Sequence, residues 1–175
     1  LVAHYKMNER SGTVSVDSSD SGFHGEIKNG TGLGQEPFPG LPGSSMRFDG
    51  SNDHVLVHHD DQFQMSQGTI SVRFKPYHVG GGHGIFGKDA YASGVGQIHL
   101  NMIGSRLEFR LQDEDTSYYV NGSVAVNQWY HAICSWGPDG MKMWLNGTRV
   151  RVSDNGTSST GGTMGNTEPM VIGAT

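Results

Sequence analysis

Six side chains in strand-like segments have the chemistry that a sugar-binding surface needs. An aromatic ring can stack on the apolar face of a sugar, and Arg and Glu can form paired hydrogen bonds with hydroxyl or carboxylate groups. The candidate ligand-binding residues are Arg73, Glu108, Arg110, His131, Ser135 and Trp144. Whether they share one groove depends on strand order, which the residues do not give. The alternative is a solvated sheet face on which Arg73 or Arg110 pairs with Glu108 across strands.

A run of histidines and aspartates suggests a transition-metal site, but its spacing argues against one. His58, His59, Asp60 and Asp61 are consecutive, and His54 lies shortly before them. Neighbouring residues of a strand point to opposite faces, so only one of the two adjacent histidines can join a given site. The spacing matches no zinc motif. We therefore expect these side chains to be a surface-exposed set.

The chain contains one cysteine, Cys134, so no internal disulfide can form. Strand alternation puts Cys134 on the same face as Tyr130, Ala132 and Trp136. This setting predicts a small buried hydrophobe rather than a nucleophile.

Composition narrows the function classes. At 175 residues the chain suits one domain with a single core. The formal net charge is -5, which argues against nucleic-acid binding, because such binding needs a basic surface that displaces counterions. No stretch of the sequence approaches the apolar length that inserts across a membrane.

Short strand-like runs separated by Gly, Asn, Ser and Asp fill nearly the whole chain. The segment GTISVRFKP (68–76) alternates between apolar and polar residues, and LVAHYKM (1–7) is predicted as the first strand. Asn-Gly pairs begin at Asn29, Asn121, Asn146 and Asn155, and each predicts a tight hairpin turn. No segment keeps a helical period. The sequence therefore predicts an all-β antiparallel sandwich.

Six sequence segments occur in the order typical of one family. They are LVAHYKMNERSGTVSVDSSDSGFHGEIKNG, LPGSSMRFDGSNDHVLV, GTISVRFKP, GSRLEFRL, WYHAICSWGPDGMKMWLNG and PMVIGA. This ordered series covers nearly the whole chain and resembles a laminin-G-like (LamG) domain of the concanavalin A-like lectin/glucanase superfamily. The resemblance implies a single jelly-roll domain over 1–175, built as a β-sandwich of two curved antiparallel sheets.

The resemblance also implies a final strand that this sequence does not contain. Such domains usually end in a strand of the form F-x-G-x-I-D-[ED]-V-x-[IL]-[YF], which pairs with the first strand. The sequence stops at Thr175 without it. We therefore expect a fragment of a longer protein or a missing C-terminal piece. The absence of that strand would leave residues 1–7 with an unpaired edge open to association.

The family pattern predicts which face of each strand is buried. It places Met141, Met143 and Leu145 in the core, so Trp144 is expected to point outward. It likewise places Trp136 in the core, as a packing residue. Trp144 is thus the better candidate for contact with a ligand.

The superfamily often holds a structural calcium ion near the first strand and the turn that follows the Phe-Asp-Gly strand. Calcium prefers several oxygen ligands from carboxylates and backbone carbonyls. By resemblance, the candidate ligands are Asn8, Glu9, Asp17, Asp49, Gly50, Asn52 and Asp53. The alternative is that these residues cap turns, which Asp and Asn do without a metal.

Some polysaccharide lyases share this architecture and use a Gln-Ile-His strand with an Arg and a Tyr. The corresponding residues here are Gln97, His99, Arg110 and Tyr118, with Tyr119 beside the last. Arg and Gln would neutralise a uronate carboxylate while Tyr or His removes the adjacent proton. The other motifs of the alginate lyases, Y-F-K-A-G-x-Y-N-Q and R-x-E-x-R, are absent, and the glycosidase motif E-x-D-x-x-E is absent too.

These observations together predict a non-catalytic, extracellular, lectin-like module that recognises a glycan or polysaccharide. We expect it to be calcium-supported and part of a larger secreted or cell-surface protein, such as an adhesin. One rival is a protein-interaction or structural module, whose contacts would cluster on loops 78–84 or 154–168. The other rival is the lyase. Fold alone cannot choose, because this superfamily carries many functions.

Overall fold

Nearly all the regular structure is β-strand. The computed structural model describes residues 1–89, 94–113, 116–150 and 161–173. The strands are β1 Val14–Ser15, β2 Gly25–Lys28, β3 Gly32–Gln35, β4 Ser45–Arg47, β5 His54–Val57, β6 Gly68–Phe74, β7 Gly82–Lys88, β8 Gln97–Ile103, β9 Arg106–Asp113, β10 Thr116–Ser123, β11 Tyr130–Trp136, β12 Lys142–Leu145, β13 Thr148–Arg149 and β14 Met170–Ile172. One short 3-10 helix spans Asp61–Phe63. No helix in these ranges is long and apolar enough to cross a membrane.

The strands form two main antiparallel sheets. The large sheet has the order β1-β2-β5-β14-β7-β8-β9-β10, and the small sheet has the order β13-β12-β11-β6. A separate hairpin pairs β3 with β4. Strand β14 lies between β5 and β7, although it is the last strand described, so the large sheet brings together distant parts of the chain.

The core is sealed between the two sheets by alternating side chains. On β9, Leu107, Phe109 and Leu111 have no exposed surface, and the small sheet contributes Cys134 and Met143 to the same cluster. Burying each large apolar side chain stabilises the fold by about 1.5–3 kcal/mol. The residues between them on each strand must therefore face away from the core.

The predicted all-β sandwich and the predicted core positions are confirmed. Trp136 is 4% exposed and lies 6.2 Å from Phe109 between ring centroids, so it is a packing residue. Leu145 packs against the same cluster as buried Met143, while Trp144 lies outside it. Burial raises the pKa of the Cys134 thiol to about 12, which leaves it protonated and unreactive at neutral pH.

The N-terminal segment differs from the predicted strand. Residues 1–7 make only one isolated bridge, between Tyr5 and Asp17. Val2, Tyr5 and Met7 nevertheless pack against a second core cluster around Val55. The apolar residues that suggested a strand thus cover the large sheet without joining it.

The hairpin predicted at Asn146 is confirmed, whereas those at Asn29 and Asn121 are wrong. Asn29-Gly30 forms a turn between β2 and β3, which belong to different sheets and do not pair. Asn29 and Asn146 have positive φ angles of 58° and 49°, as a tight turn requires, and Asn146 lies at the turn between β12 and β13. Asn121 lies inside β10, paired with Glu108. Asn155 lies outside the described residues.

Asp17 organises the N-terminal turns from a buried position, being 4% exposed. Its Oδ1 accepts hydrogen bonds from the N–H groups of His4 (2.8 Å) and Ser19 (2.9 Å). Its Oδ2 accepts from the Ser19 hydroxyl (2.8 Å) and the Phe23 N–H (3.0 Å). Burial alone would raise the pKa of Asp17, but these hydrogen bonds outweigh it and lower the pKa to about 2.

Asp17→Asn is expected to lower the free energy of unfolding by roughly 1–3 kcal/mol at neutral pH, because an amide cannot accept all four hydrogen bonds. A lowered pKa contributes stability that is present above the unfolded value of 3.8 and is lost as the pH falls toward about 2. The difference in the free energy of unfolding between the variant and the parent protein, measured by denaturant titration, should therefore shrink as the pH falls over that range. Exposed Asp20→Asn is the matched control. A difference that stayed constant down to pH 2 would contradict a role for the charge.

Candidate functional site

The six predicted ligand-binding residues lie on two opposite faces of the sandwich. Arg73, His131, Ser135 and Trp144 belong to the small sheet, whereas Glu108 and Arg110 belong to β9 of the large sheet. On both sheets the flanking residues point into the shared core. The six side chains therefore do not share one groove, and each outer face has to be considered separately.

One row of residues crosses the whole outer face of the large sheet. The pairing places successive residues of the eight strands directly opposite one another. From β1 to β10 the row is Val14, Glu26, Leu56, Val171, Gly87, His99, Arg110 and Tyr119. Its β10 end is polar, while Leu56 and Val171 make its middle apolar.

Polar side chains cover the outer face of the three strands at that end. All but Gln97 are partly exposed, and Gln97 is 9% exposed. We call this surface the β8–β10 face, and its members are Gln97, His99, Asn101, Glu108, Arg110, Gln112, Ser117, Tyr119 and Asn121. This face offers both hydrogen-bond donors and hydrogen-bond acceptors, because it combines amides, charged groups, an imidazole and a phenol.

Arg110 is fixed by Glu108 on the same strand. Its Nε and Nη2 donate to Glu108 Oε1 at 2.9 and 2.6 Å. The Glu108 side chain is only 12% exposed, so the pair is partly desolvated and charge-assisted. The two charges cancel, and the pair therefore presents fixed hydrogen-bonding groups without a net charge.

His99 lies beside Arg110 in the row, and its side chain is 12% exposed. Its Nε2 lies 3.4 Å from Gln97 Oε1 and 4.0 Å from Asp89 Oδ1. Burial lowers the pKa of His99, with Asp89 opposing that shift and Arg110 adding to it. The imidazole is therefore neutral at pH 7 and can offer one donor and one acceptor.

Asn101 carries a buried acceptor without a partner. Its Oδ1 is one of four buried side-chain polar atoms that lack a hydrogen bond among the described residues. Leaving such a group unsatisfied costs about 1–3 kcal/mol. Asn101 lies opposite Glu108 in the β8–β10 face, and its Oδ1 is shielded from solvent. If the amide turned outward, a ligand hydroxyl donating to Oδ1 would recover that cost.

Gly87 leaves a gap in the row next to His99. A side chain at this position would start 3.9 Å from His99 Nδ1, with no other atom that close outside its chain neighbours. Val171 borders the gap on the other side. The row thus has room for at least one methyl group at buried Gly87, between an apolar side chain and an imidazole.

Three of the four predicted lyase residues converge on this face. Gln97, His99 and Arg110 lie together, but Tyr118 pairs with Leu111 and packs against the core. Tyr119 lies directly opposite Arg110 and takes its place on the surface. The assignment of Tyr118 is therefore corrected to Tyr119, because strand alternation allows only one of two adjacent tyrosines on each face.

The outer face of the small sheet carries the other predicted residues. Trp144 lies opposite Ile133 on one side and Arg149 on the other. The Ser71 hydroxyl and His131 Nε2 are 2.9 Å apart, and Arg73 is the strand partner of His131. Burial lowers the pKa of His131, and the positive charge of Arg73 adds to that shift. Ser135 lies further along β11, opposite Lys142.

The candidate calcium ligands in the 49–53 turn are engaged with the backbone. Asp49 Oδ1 accepts from the N–H groups of Ser51 (2.8 Å), Asn52 (3.2 Å) and Asp53 (3.4 Å). Asp53 Oδ2 accepts from the Asp49 N–H at 3.2 Å, and Asn52 O accepts from an Asn29 side chain. Gly50 has a φ of 78°, which a tight turn needs.

The remaining calcium candidates also make hydrogen bonds within the protein, except that the buried Glu9 Oε2 has no hydrogen-bond partner among the described residues. The four hydrogen bonds of Asp17 use the lone-pair sites of its carboxylate. Glu9 Oε1 accepts from the Val16 N–H at 2.8 Å, and the Asn8 carbonyl accepts from Ser44. In the part of the chain that is described, no three His, Cys, Asp or Glu side chains are arranged to hold a metal ion. Calcium binding therefore stays a prediction of the resemblance.

Sequence reasoning missed Asn101, Asn121, Gln112 and Gly87 as members of the candidate site. The alternation in QIHLNMI and RLEFRLQ contained the signal, because each buried Leu or Phe fixes its neighbours as outward. The pairing of β8, β9 and β10 into one surface was not available from that alternation alone.

The two packed antiparallel sheets, with a polar outer face on the larger one, define a concanavalin A-like sandwich. The chain belongs to the laminin G type family of the concanavalin A-like lectin/glucanases superfamily, whose profile matches residues 49–175. Comparison with curated proteins gives no match.

Several solved structures share the fold at low sequence identity. The binding domain of botulinum neurotoxin DC in complex with SialylT has a TM-score of 0.65 and 16% identity, over 98% of this chain and 43% of that chain. The CBM40 of the Ruminococcus gnavus IT-sialidase, bound to α2,3 sialyllactose, has a TM-score of 0.53 and 15% identity, over 65% and 66%. A botulinum neurotoxin type C structure, whose cell entry depends on two ganglioside molecules, has a TM-score of 0.62 and 18% identity, over 95% and 41%. The chain thus spans less than two thirds of each of these structures.

Asp89→Asn is expected to lower the pKa of His99 further, because the Asp89 carboxylate favours the imidazolium form. The shift would be measured by NMR titration of the ring protons, with the His99 signals assigned by their loss in His99→Gln. Asp139→Asn, an exposed change on the small-sheet side, should leave the His99 pKa unchanged. An unaltered titration in Asp89→Asn would show that the two groups do not interact.

Proposed function

We propose that the protein is a non-catalytic carbohydrate-recognition module that binds its glycan on the β8–β10 face. The observation that carries the proposal is a set of in-register, half-buried polar side chains that includes the unpaired buried acceptor of Asn101. Sugar hydroxyls both donate and accept, so they complement a face of mixed donors and acceptors.

The rigidity of the face supports binding rather than general solvation. Arg110 is held by two hydrogen bonds to Glu108, and His99 lies within 3.4 Å of Gln97. Side chains that are already ordered lose little conformational entropy when a ligand arrives. The space at Gly87, bordered by Val171, gives room for the apolar edge of a sugar ring.

The structural neighbours support the same class of ligand. Two of them are named with a bound sialyl sugar, and a third with ganglioside molecules. Glycans of that kind are found outside the cell, so we propose a secreted or cell-surface parent protein. Calcium is not needed for the recognition that we propose on this face.

Gly87→Val is expected to abolish glycan binding, because the new side chain fills the space next to His99, where a Cβ meets no atom closer than 3.9 Å. A glycan array identifies the bound sugar class, and calorimetry then compares affinities. Gly82→Val is the matched control, since it lies on the same strand with nothing within 4 Å. The control should bind like the parent protein.

A second variant tests the unpaired acceptor directly. Asn101→Leu should weaken binding about tenfold, equivalent to roughly 1.4 kcal/mol, without lowering thermal stability, because it removes a group that lacks a partner in the free protein. If neither variant changed the affinity of a glycan that does bind, the β8–β10 face would not be the site. If no glycan bound at all, a protein-interaction module would be the better interpretation.

The convergence of Gln97, His99, Arg110 and Tyr119 favours a lyase as the second candidate function. In that reaction a base removes the proton next to a uronate carboxylate. The glycosidic C–O bond then breaks, a carbon–carbon double bond forms in the ring, and the leaving oxygen takes up a proton. Arg110 would neutralise the carboxylate, but its guanidinium is already paired with Glu108, which weakens this candidate.

We expect no lyase activity on polyuronates such as alginate or pectate, as followed by ultraviolet absorption of the unsaturated product. Glu108→Gln removes the carboxylate that pairs with Arg110, so the guanidinium becomes available to neutralise a uronate carboxylate. This variant is therefore assayed beside the parent protein. Turnover in either, abolished by Tyr119→Phe or His99→Gln, would overturn the assignment as a binding module.

A further inference from the structure

We propose that two buried polar residues, Lys88 and Asn166, form a positioning network that sets the geometry of the β8–β10 face. Lys88 is 1% exposed and Asn166 has no exposed surface, so both act through their neighbours rather than on a ligand. The inference rests on the proposed function, because it explains how the proposed binding residues Gln97 and His99 are held in place.

The Asn166 carboxamide joins the end of β7 to the start of β8. Its Nδ2 donates to the Lys88 carbonyl and to the Gly96 carbonyl, both at 3.0 Å. Strand β7 ends at Lys88, and β8 begins at Gln97, the residue after Gly96. One buried amide therefore holds the two strand ends at a fixed separation.

These two strand ends carry the side chains that surround the His99 imidazole. Asp89 follows Lys88 directly, and its Oδ1 lies 4.0 Å from His99 Nε2. Gln97 is the first residue of β8, and its Oε1 lies 3.4 Å from the same nitrogen. His99 Nε2 thus faces one acceptor from each of the strand ends that Asn166 joins. A movement of either end would change the position of an acceptor relative to the imidazole.

Lys88 fixes the orientation of the Asn166 side chain. Its Nζ donates to Asn166 O at 2.7 Å, to Asn166 Oδ1 at 3.1 Å and to the Glu168 carbonyl at 2.5 Å. The Glu168 N–H also donates to Asn166 Oδ1, at 2.9 Å. An ammonium can only donate and a carbonyl can only accept. A reversed carboxamide would therefore place its NH₂ group against an ammonium and its oxygen against two carbonyls.

The burial of the Lys88 ammonium indicates that its charge has a use. Lys88 forms no ion pair with a carboxylate in the part of the chain that is described. Burial lowers the pKa of Lys88 to about 8, with the charge of Glu168 opposing that shift. His59 Nδ1 is a further neighbour, 3.3 Å from Nζ. An apolar side chain would avoid the desolvation cost of a buried charge, but it could not donate to both oxygens of Asn166.

The pKa of His99, measured by NMR titration of its ring protons, reports on the network without any glycan. Asn166→Ala removes both bridging hydrogen bonds without changing the charge. Asp89 favours the imidazolium form of His99, so its displacement should lower the His99 pKa toward the value in Asp89→Asn. The double variant Asp89→Asn/Asn166→Ala should show no further fall, because both changes remove the same interaction. Asn166→Ser, which keeps one donor, is the milder variant if Asn166→Ala does not fold.

Thr163→Val is the matched control, because Thr163 is also buried and lies in the same segment. The substitution removes hydrogen bonds of its hydroxyl to the Phe63 carbonyl (2.6 Å) and from the Met65 N–H (2.8 Å), neither of which involves β7 or β8. It should lower the melting temperature as Asn166→Ala does. The His99 pKa and the affinity for glycan should nevertheless stay those of the parent protein.

Calorimetry with the sugar class identified by the glycan array completes the test. Asn166→Ala and Lys88→Met should both bind about tenfold more weakly than the parent protein. An unchanged His99 pKa in Asn166→Ala, an equal fall in Thr163→Val, or unchanged affinity in both network variants would overturn the inference. A lowered His99 pKa in Asn166→Ala, in a protein that binds no glycan, would overturn the proposed function and leave the positioning of His99 in place.

Discussion

The structure depends on an apolar layer that two antiparallel sheets seal between them. Phe109 from one sheet meets Trp136 from the other, and Met143 and Cys134 fill the space around them without exposed surface. Because successive strand residues alternate, this layer also decides where every polar residue of the core strands can point. The sealed core is therefore the reason why the protein has two outer faces, and why residues close in sequence cannot all serve one site.

The two outer faces hold their charged side chains in different ways. On the large sheet, Glu108 holds Arg110, and neighbouring amides and an imidazole fill the rest of the surface at low exposure. On the small sheet, the Arg73 guanidinium lies over the Phe38 ring and forms no ion pair with a carboxylate in the described part of the chain. The first arrangement gives directional hydrogen bonds with no net attraction, which favours recognition of shape and hydroxyl pattern. The second arrangement gives electrostatic attraction, which acts over a longer range and depends little on the orientation of the ligand.

Sequence patterns were sufficient for the fold class and for the burial of individual strands. The alternation of β11 put Cys134 and Trp136 on one face, since a strand with one buried face leaves a period of two. The family resemblance predicted that Trp136 and Met143 lie in the core. Strand order was not predictable, because pairing between β14, β5 and β7 is a contact between distant segments. For the same reason, the sequence did not show that the six candidate ligand-binding residues lie on two different faces. The Asn121-Gly122 pair predicted a turn, yet it lies inside β10, where a Cβ on Gly122 would start 2.7 Å from the Cδ1 of Leu145.

The back-to-back placement of the two faces limits how the molecule can meet an extended surface. Whichever sheet lies against a flat polymer layer, the other sheet is turned toward the solvent, with the full thickness of the core between them. A molecule attached through the β8–β10 face would coat that layer with outward arginines. Its attachment would therefore leave the charged side chains of the small sheet facing the surrounding medium.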